Sequence, residues 1–283
     1  MKSPRLMDYH LHTMVTIDGK MTEDQACERA ILMGMQEIAF TNHAMLTEPD
    51  YTISHEAFVK HWEQIQSCQL RYPELKIRLG LEMDYYEERE KEISTAIEQY
   101  VNLIGRPFDL VLGAVHHLNG VFFSSKVQAP ELYNNYEIVA LYHDYFTLGT
   151  KAVQSRLFDV MAHPDLIKKF TGEFSTRVPF ERFRVAAESY VDALLECDVG
   201  IEINTKGFEQ RGGEAYPSDD LLELYISKAR AQGKEPIITL GSDAHKIADV
   251  GRYIIDGAMT LQNMGHSTIM SFEKRKPISF HLY

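Results

Sequence analysis

Short runs of apolar residues alternate along most of the chain with longer amphipathic stretches. The apolar runs have the length of strands buried on both faces, and the stretches between them have the spacing of helices that bury one side. The runs predict strands over residues 6–12, 37–43, 76–84, 110–116, 158–163, 200–204 and 236–245. The amphipathic stretches predict helices over residues 22–32, 54–71, 87–103, 130–151, 179–196 and 218–232.

A strand–helix alternation of this kind predicts a parallel sheet with helical crossovers. No G-x-G-x-x-G sequence follows the first strand, so the chain lacks the main mark of a dinucleotide-binding fold. Closure of the sheet into an α/β barrel is therefore favoured. No linker or change in composition divides the 283 residues, so we expect one domain over residues 1–283.

The composition narrows the function classes. A formal net charge of −12 argues against non-specific binding to nucleic acid or to anionic membranes, although a small phosphorylated ligand remains compatible with it. The sequence shows neither a signal peptide nor an apolar segment of about 18 residues, so we expect no membrane contact and a cytoplasmic location. Cys27, Cys68 and Cys197 are read as reduced structural thiols. A homodimer is compatible with the sequence, which does not decide the oligomeric state.

Residues of the types that bind metals stand at the ends of six of the seven predicted strands. Asp8, His10 and His12 alternate along the first strand and therefore share one face. The carboxyl ends of parallel barrel strands meet at one face of the fold, so ligands that are distant in sequence converge there. The candidate metal ligands are His10, His12, Asp18, His43, Glu82, His116, His163, Asp243 and His245.

A single histidine at a strand end is usually an ordinary polar residue. Five further histidines in helical or terminal segments are given that ordinary role: His55, His61, His143, His266 and His281. The nine-residue set is different, because it is too large for one ion, which takes about four to six ligands. We therefore expect at least two divalent cations, with Glu82 bridging through its two oxygens. The many imidazoles favour Zn, Fe or Mn over Mg or Ca.

The motifs at the strand ends resemble those of the PHP (polymerase and histidinol phosphatase) superfamily, and within it the stand-alone histidinol-phosphate phosphatases. The resemblance extends over essentially the whole chain and rests on residues 8–13, 41–43, 80–85, 112–116, 158–168, 202–205 and 241–245. It implies a distorted (βα)7 TIM-like barrel with a trinuclear centre of two to three transition metals. In this centre, one ion would be held by His10, His12, Glu82 and Asp243. A second ion would be held by Glu82, His116 and His163, and a third by Asp18, His43 and His245. The implied reaction is hydrolysis of L-histidinol phosphate.

Hydrolysis of a phosphate monoester needs a nucleophile, charge neutralisation and a proton for the leaving oxygen. Glu82 serves as the shared ligand, and Asp243 and His245 are the candidate proton donors. The candidate substrate-binding residues are Arg211, Arg252, Lys168 and His117. Two alternatives stay open. One is a PHP-type phosphoesterase acting on another small phosphomonoester or on a nucleic-acid end, the latter disfavoured by the acidic charge. The other is a metal-binding barrel without activity.

Overall fold

A nearly closed parallel barrel forms the centre of the structure, a computed structural model that describes residues 5–282. The strands are β1 (Leu6–Leu11), β2 (Met35–Phe40), β3 (His43–Ala44), β4 (Lys76–Asp84), β5 (Leu110–Ala114), β6 (His117–Leu118), β7 (Val121–Phe122), β8 (Val160–Met161), β9 (Gly200–Asn204), β10 (Ile238–Gly241), β11 (Thr268–Glu273) and β12 (Lys276–His281). Seven of them run parallel in the order β1-β2-β4-β5-β8-β9-β10. The edges approach where His12 N donates to Ala244 O at 2.9 Å. The predicted α/β barrel of seven strands is confirmed.

Helices follow the barrel strands along the chain and cover the outside of the barrel. They are α1 (Glu23–Leu32), α2 (His55–Arg71), α3 (Glu90–Ile104), α4 (Ala129–Asn135), α5 (Ile138–Gln154), α6 (Arg184–Cys197), α7 (Asp219–Ala231) and α8 (Ile254–Asn263). Thr22 begins α1 through a capping box, in which its side chain accepts from Gln25 N and the Gln25 side chain accepts from Thr22 N. No helix of the described residues is both long enough and apolar enough to cross a membrane.

The single helix predicted over residues 130–151 is wrong, because the structure has two helices there, α4 and α5. Tyr136 adopts an extended conformation, with φ −128° and ψ 150°. The Glu137 carboxylate then accepts a hydrogen bond from Ala140 N at 2.8 Å and caps the start of α5. Helical spacing continues on both sides of this break, so the hydrophobic pattern did not reveal it.

Several predicted strands are shorter in the structure than in the sequence pattern, and for two of them, β8 and β10, the backbone shows why the strand ends. The chain leaves the sheet near His163 and Asp243, whose φ angles are 32° and 52°. A left-handed backbone cannot continue a strand, so β8 and β10 end before these residues. Both residues belong to the predicted metal ligands, and the turn that ends each strand also places the ligand.

The antiparallel hairpin β11–β12 was not predicted and lies under the amino ends of the barrel strands. Arg275 Nε donates to Asp159 Oδ2 at 2.9 Å just before β8. The Tyr9 hydroxyl accepts from Phe272 N at 3.0 Å and donates to Glu37 Oε1 at 2.7 Å. The hairpin thus covers the amino-end face, and the carboxyl-end face carries the loops.

Candidate metal centre

The predicted ligands gather at the carboxyl-end face of the barrel. His10 stands in β1 with His12 just past its end, and Glu82 stands in β4. The turns after β8 and β10 add His163 and Asp243, both with left-handed backbones. Strained backbone of this kind persists where the surrounding structure holds it, and it is common at functional sites.

Glu82 lies at the centre of this cluster and is fully buried. Its Oε2 atom lies 3.1 Å from His10 Nε2 and 2.8 Å from His43 Nδ1. Its Oε1 atom lies 2.9 Å from His163 Nε2 and 3.7 Å from His116 Nε2. The two oxygens therefore face two different sets of imidazoles, which is the arrangement a bridging carboxylate needs.

Three groups of side chains bring one donor atom each within 4.8 Å of one another: His10, His12 and Asp243; Glu82, His116 and His163; and His12, His43 and His245. The first two agree with the predicted sets, apart from Glu82 in the first. In the third the structure adds His12, while Asp18 Oδ2 lies 3.3 Å from His43 Nε2 and 3.0 Å from His245 Nε2. All nine predicted residues are thus brought together, and their role as ligands stays a prediction.

The pairing and the spacing of the donor atoms in the cluster both suit the binding of divalent cations. Both ring nitrogens of His12, and Nδ1 of His163, are buried without a hydrogen-bond partner among the described residues. Buried polar atoms are normally paired, so unpaired imidazole nitrogens at this position are suited to bind a cation. Two donors that bind one cation at about 2.1 Å each stand about 3–3.5 Å apart, and several separations around Glu82 are close to this range.

The charges of the cluster also suit cation binding. Burial raises the pKa of Glu82, but His43 and His10 outweigh burial and hold it well below its ordinary value. The pKa of His43 rises to about 10, because Glu82 and Asp18 outweigh the lowering effect of burial. Burial lowers the pKa of His12 well below its ordinary value, so this ring is neutral. A cation would replace the protons that these groups otherwise share.

Two buried carboxylates outside the predicted set of ligands orient the imidazole rings of two histidines in the cluster. Glu202 Oε1 lies 2.7 Å from His10 Nδ1, and Asp84 Oδ1 lies 2.7 Å from His116 Nδ1. A carboxylate that accepts from Nδ1–H leaves Nε2 free for a metal and fixes the ring orientation. Asp84 follows Glu82 by two residues in one strand, which was the available sequence signal. Glu202 lies within β9, the strand whose end carried no metal-type ligand.

Asp8 stabilises the same site through hydrogen bonds to the loop after β10. It precedes His10 in β1, and its Oδ1 atom accepts from Ser242 N at 2.8 Å. Its Oδ2 atom accepts from Gly251 N at 2.9 Å. Asp8 therefore fixes the loop that carries Asp243.

A cavity of about 180 Å³ opens onto the cluster, and two lysines line it beside the predicted ligands. Lys169 Nζ donates to Ser124 O at 2.7 Å. Lys206 Nζ donates to Asp243 O at 2.8 Å and lies 3.1 Å from His245 Nδ1. Sequence reasoning missed both lysines, although each follows a strand that carries site residues.

The predicted substrate-binding residues lie elsewhere in the described structure. None of the four lines this cavity: Arg211, Arg252, Lys168 and His117. The Arg211 guanidinium donates to Gly172 O, and Arg252 Nη1 donates to Asp249 Oδ1 at 2.9 Å. Both arginines are thus engaged by acceptors outside this cavity, and their contact with a substrate stays a prediction.

A short 3₁₀ helix, Leu166–Lys168, ends between two neighbouring lysines, Lys168 and Lys169. Lys168 Nζ lies 3.0 Å from Asp165 Oδ2, whereas Lys169 lines the cavity. The conformation of a short turn therefore decides which lysine meets the site.

His117 also lies outside the cavity. Its Nδ1 atom lies 3.2 Å from Asp84 Oδ2, and the other oxygen of Asp84 lies near His116 Nδ1.

Proteins of named function resemble this chain over nearly its whole length. A probable histidinol-phosphatase from Deinococcus radiodurans is 29% identical over 275 residues, covering 96% of this chain and 98% of the relative. A histidinol-phosphatase from Lactococcus lactis is 25% identical over 241 residues, covering 84% of each chain.

Solved structures share the fold. The histidinol phosphate phosphatase of Lactococcus lactis, crystallised with zinc, L-histidinol and phosphate, superposes with a TM-score of 0.82 at 23% identity, covering 97% of this chain and 99% of that one. A putative histidinol phosphatase from Listeria monocytogenes superposes with a TM-score of 0.75 at 19% identity, covering 87% and 98%. The model of the PHP domain family matches residues 8–206. The chain therefore belongs to the PHP domain family.

Proposed function

We propose that this protein is a metal-dependent phosphomonoesterase that hydrolyses L-histidinol phosphate to L-histidinol and phosphate. Curated relatives that cover most of the chain are named histidinol-phosphatase. The Lactococcus lactis structure of the same fold holds zinc, L-histidinol and phosphate. These likenesses support the substrate, and the geometry of the site supports the reaction class.

The observation that carries the proposal is the position of Glu82 between two sets of imidazoles at a cavity lined by Lys169 and Lys206. The imidazole and carboxylate donors suit Zn, Fe or Mn. The lysines add positive charge on the open side. A site with cation ligands below and ammonium groups beside a small cavity is suited to a phosphoryl group.

The three groups of side chains described above would hold the cations. His10, His12 and Asp243 would hold one beside Glu82 Oε2, and Glu82 Oε1 with His116 and His163 would hold another. The remaining residues, His43, His245 and Asp18, would hold a third. When bound, such cations lower the pKa of water towards neutrality and offset the negative charge of phosphate oxygens.

The lysines bind and orient the phosphoryl group. Burial lowers the pKa of Lys169 to about 8, so its ammonium group is still mostly protonated at pH 7. Its hydrogen bond to Ser124 O uses one of three N–H donors and leaves others for a phosphate oxygen. Lys206 fixes the backbone of Asp243 and reaches His245, so it connects the phosphate position to the ligand loop.

Of the two predicted proton donors, Asp243 is the weaker. Burial raises its pKa, but Lys206 and His10 outweigh burial and hold it well below its ordinary value. Its carboxyl group therefore carries no proton at neutral pH. His245 lines the cavity and is the remaining candidate for proton transfer to the leaving oxygen, a role that it could take only while it does not hold the third cation beside Asp18.

A phosphate-release assay tests this function. The metal-loaded protein is given L-histidinol phosphate, p-nitrophenyl phosphate or a nucleoside monophosphate, with Zn, Fe or Mn present in turn. We expect kcat/KM for L-histidinol phosphate to exceed that for the others by about two orders of magnitude, since a matched organic part adds binding energy. Equal or lower values for L-histidinol phosphate would contradict the proposed substrate. Turnover that survives exhaustive chelation would contradict the proposed chemistry.

A further inference from the structure

Four buried side chains form a closed set of hydrogen bonds behind the candidate metal centre. We call this set the buried network, and its members are Thr13, Glu23, Asn42 and His61. Each member is at most 6% exposed, and none of them lines the metal cavity in the described part of the chain. The polar groups of the buried network therefore depend on one another for partners.

The directions of these hydrogen bonds follow from one backbone group. Thr13 N can only donate, so the atom of Asn42 that faces it at 2.7 Å is the amide oxygen. The amide nitrogen of Asn42 then faces His61 Nε2 at 3.2 Å, and this ring nitrogen must accept. The imidazole proton is therefore on Nδ1 of His61, which donates to Glu23 Oε1. The Thr13 hydroxyl closes the set, because it accepts from Asn42 Nδ2 at 3.2 Å and donates to Glu23 Oε1 at 3.3 Å.

The buried network joins the two turns that carry His12 and His43. Backbone hydrogen bonds between β1 and β2 extend as far as Leu11 O. Beyond that point the Asn42 side chain takes over, because it accepts from Thr13 N. Thr13 directly follows His12, and Asn42 directly precedes His43. The distance between these two imidazoles, 4.2 Å between ring centroids, is therefore set at the contact of Asn42 with Thr13.

His61 connects this contact to the helices that follow β1 and β2. It lies in α2, and its partner Glu23 is the first residue of α1. The edge of the imidazole meets the ring of Phe40, the last residue of β2, at 5.6 Å between centroids. Both ring nitrogens of His61 are engaged, so its orientation is fixed. Its spacing in the sequence does not distinguish it from the other histidines of helical segments.

We propose that His61 is a positioning residue of the metal centre. It holds the amide of Asn42, and the amide holds the turns on which His12 and His43 stand. These two imidazoles and His245 form one of the three groups of candidate ligands, so the buried network sets the site of the third cation. The inference rests on the metal centre of the proposed function. A merely structural role for His61 would affect folding stability and leave the affinity for this cation unchanged.

A set of variants separates positioning from stability. His61→Phe keeps a ring of similar shape and removes both nitrogens, which leaves the Glu23 carboxylate buried without its imidazole partner. Addition of Glu23→Met removes that carboxylate as well, and loss of both partners costs less stability than loss of one. Glu23→Gln keeps a carbonyl acceptor for His61 Nδ1–H. Ile65→Ala is the structural control, because Ile65 is fully buried in the same helix and is not part of the buried network.

The metal-loaded, full-length protein is dialysed against a graded chelator, and metal per chain and chemical unfolding are measured for each variant. We expect His61→Phe and the double variant to release one cation at a chelator concentration about tenfold lower than the wild type, with the other cations released as in the wild type. The double variant should recover much of the stability that His61→Phe loses. Glu23→Gln should keep the release profile of the wild type. Ile65→Ala should unfold more readily and also keep that profile.

A release profile of the folded double variant equal to that of the wild type would overturn the proposal. Early release of all cations together, in His61→Phe and Ile65→Ala alike, would overturn it too, because the effect would then follow stability. Less than about one equivalent of metal in the wild type would contradict the metal centre and this inference with it. The expected profiles without turnover of L-histidinol phosphate would support the inference and contradict the proposed function alone.

Discussion

The carboxylate of Glu202 lies 2.7 Å from Nδ1 of His10 at the base of the candidate metal centre. Its second oxygen accepts from the backbone N–H of His163 at 2.9 Å. His10 and His163 belong to different ligand groups on opposite sides of Glu82. One fully buried carboxylate thus fixes the ring of one ligand and the backbone turn of another.

Glu202→Gln should therefore weaken metal binding without removing a predicted ligand. The amide has similar volume but no charge to hold Nδ1–H of His10, and loss of such a partner costs about 10- to 100-fold in metal affinity. Metal content after dialysis against a graded chelator measures the effect, with circular dichroism as the check on folding. Retention equal to that of the wild type would show that Glu202 has no positioning role.

Gly241→Ala should disturb the same contact from the neighbouring strand. A Cβ atom there would meet Glu202 Oε1 at 2.0 Å and His10 Cβ at 2.6 Å, so a buried group must move. We expect a loss of about 1–3 kcal/mol in the free energy of unfolding together with lower metal content. Gly212→Ala is the matched control, since a Cβ at that exposed position has nothing within 4 Å. Equal stability of the two variants would refute the packing argument.

Lys169→Met and Lys206→Met should each raise KM for a phosphomonoester and weaken inhibition by inorganic phosphate. Loss of one charge-assisted contact corresponds to about a tenfold change. Arg211→Ala is the comparison, because the Arg211 side chain donates to Gly172 O outside the cavity and should leave KM unchanged. A large effect of Arg211→Ala with none from the lysines would favour the sequence-based choice of phosphate-binding residue.

The barrel and the convergence of ligands could be predicted because both follow from periodic features. Apolar runs of strand length gave β4 and β9 with their observed bounds, Lys76–Asp84 and Gly200–Asn204. Alternation along β1 placed His10 and His12 on one face, and the geometry of parallel barrels brought Glu82 to them. These inferences need only the direction of each strand.

Features set by single turns could not be predicted in the same way. The choice between Lys168 and Lys169 depends on one short 3₁₀ helix, and a shift of one residue exchanges the two side chains. The break at Tyr136 depends on a side-chain cap by Glu137 within continuous helical spacing. The hairpin β11–β12 covers the amino-end face of the barrel through contacts between residues that lie far apart in sequence, such as Arg275 and Asp159.

The central claim is that Glu82 joins two sets of imidazoles that hold separate divalent cations. Elemental analysis of metal per chain, for the wild type and for Glu82→Gln prepared without chelator, tests it most directly. The account predicts about two to three equivalents in the wild type and the loss of at least about one in the variant, because the amide cannot bridge two cations. Less than about one equivalent in the wild type, or the same content in the folded variant, would contradict it.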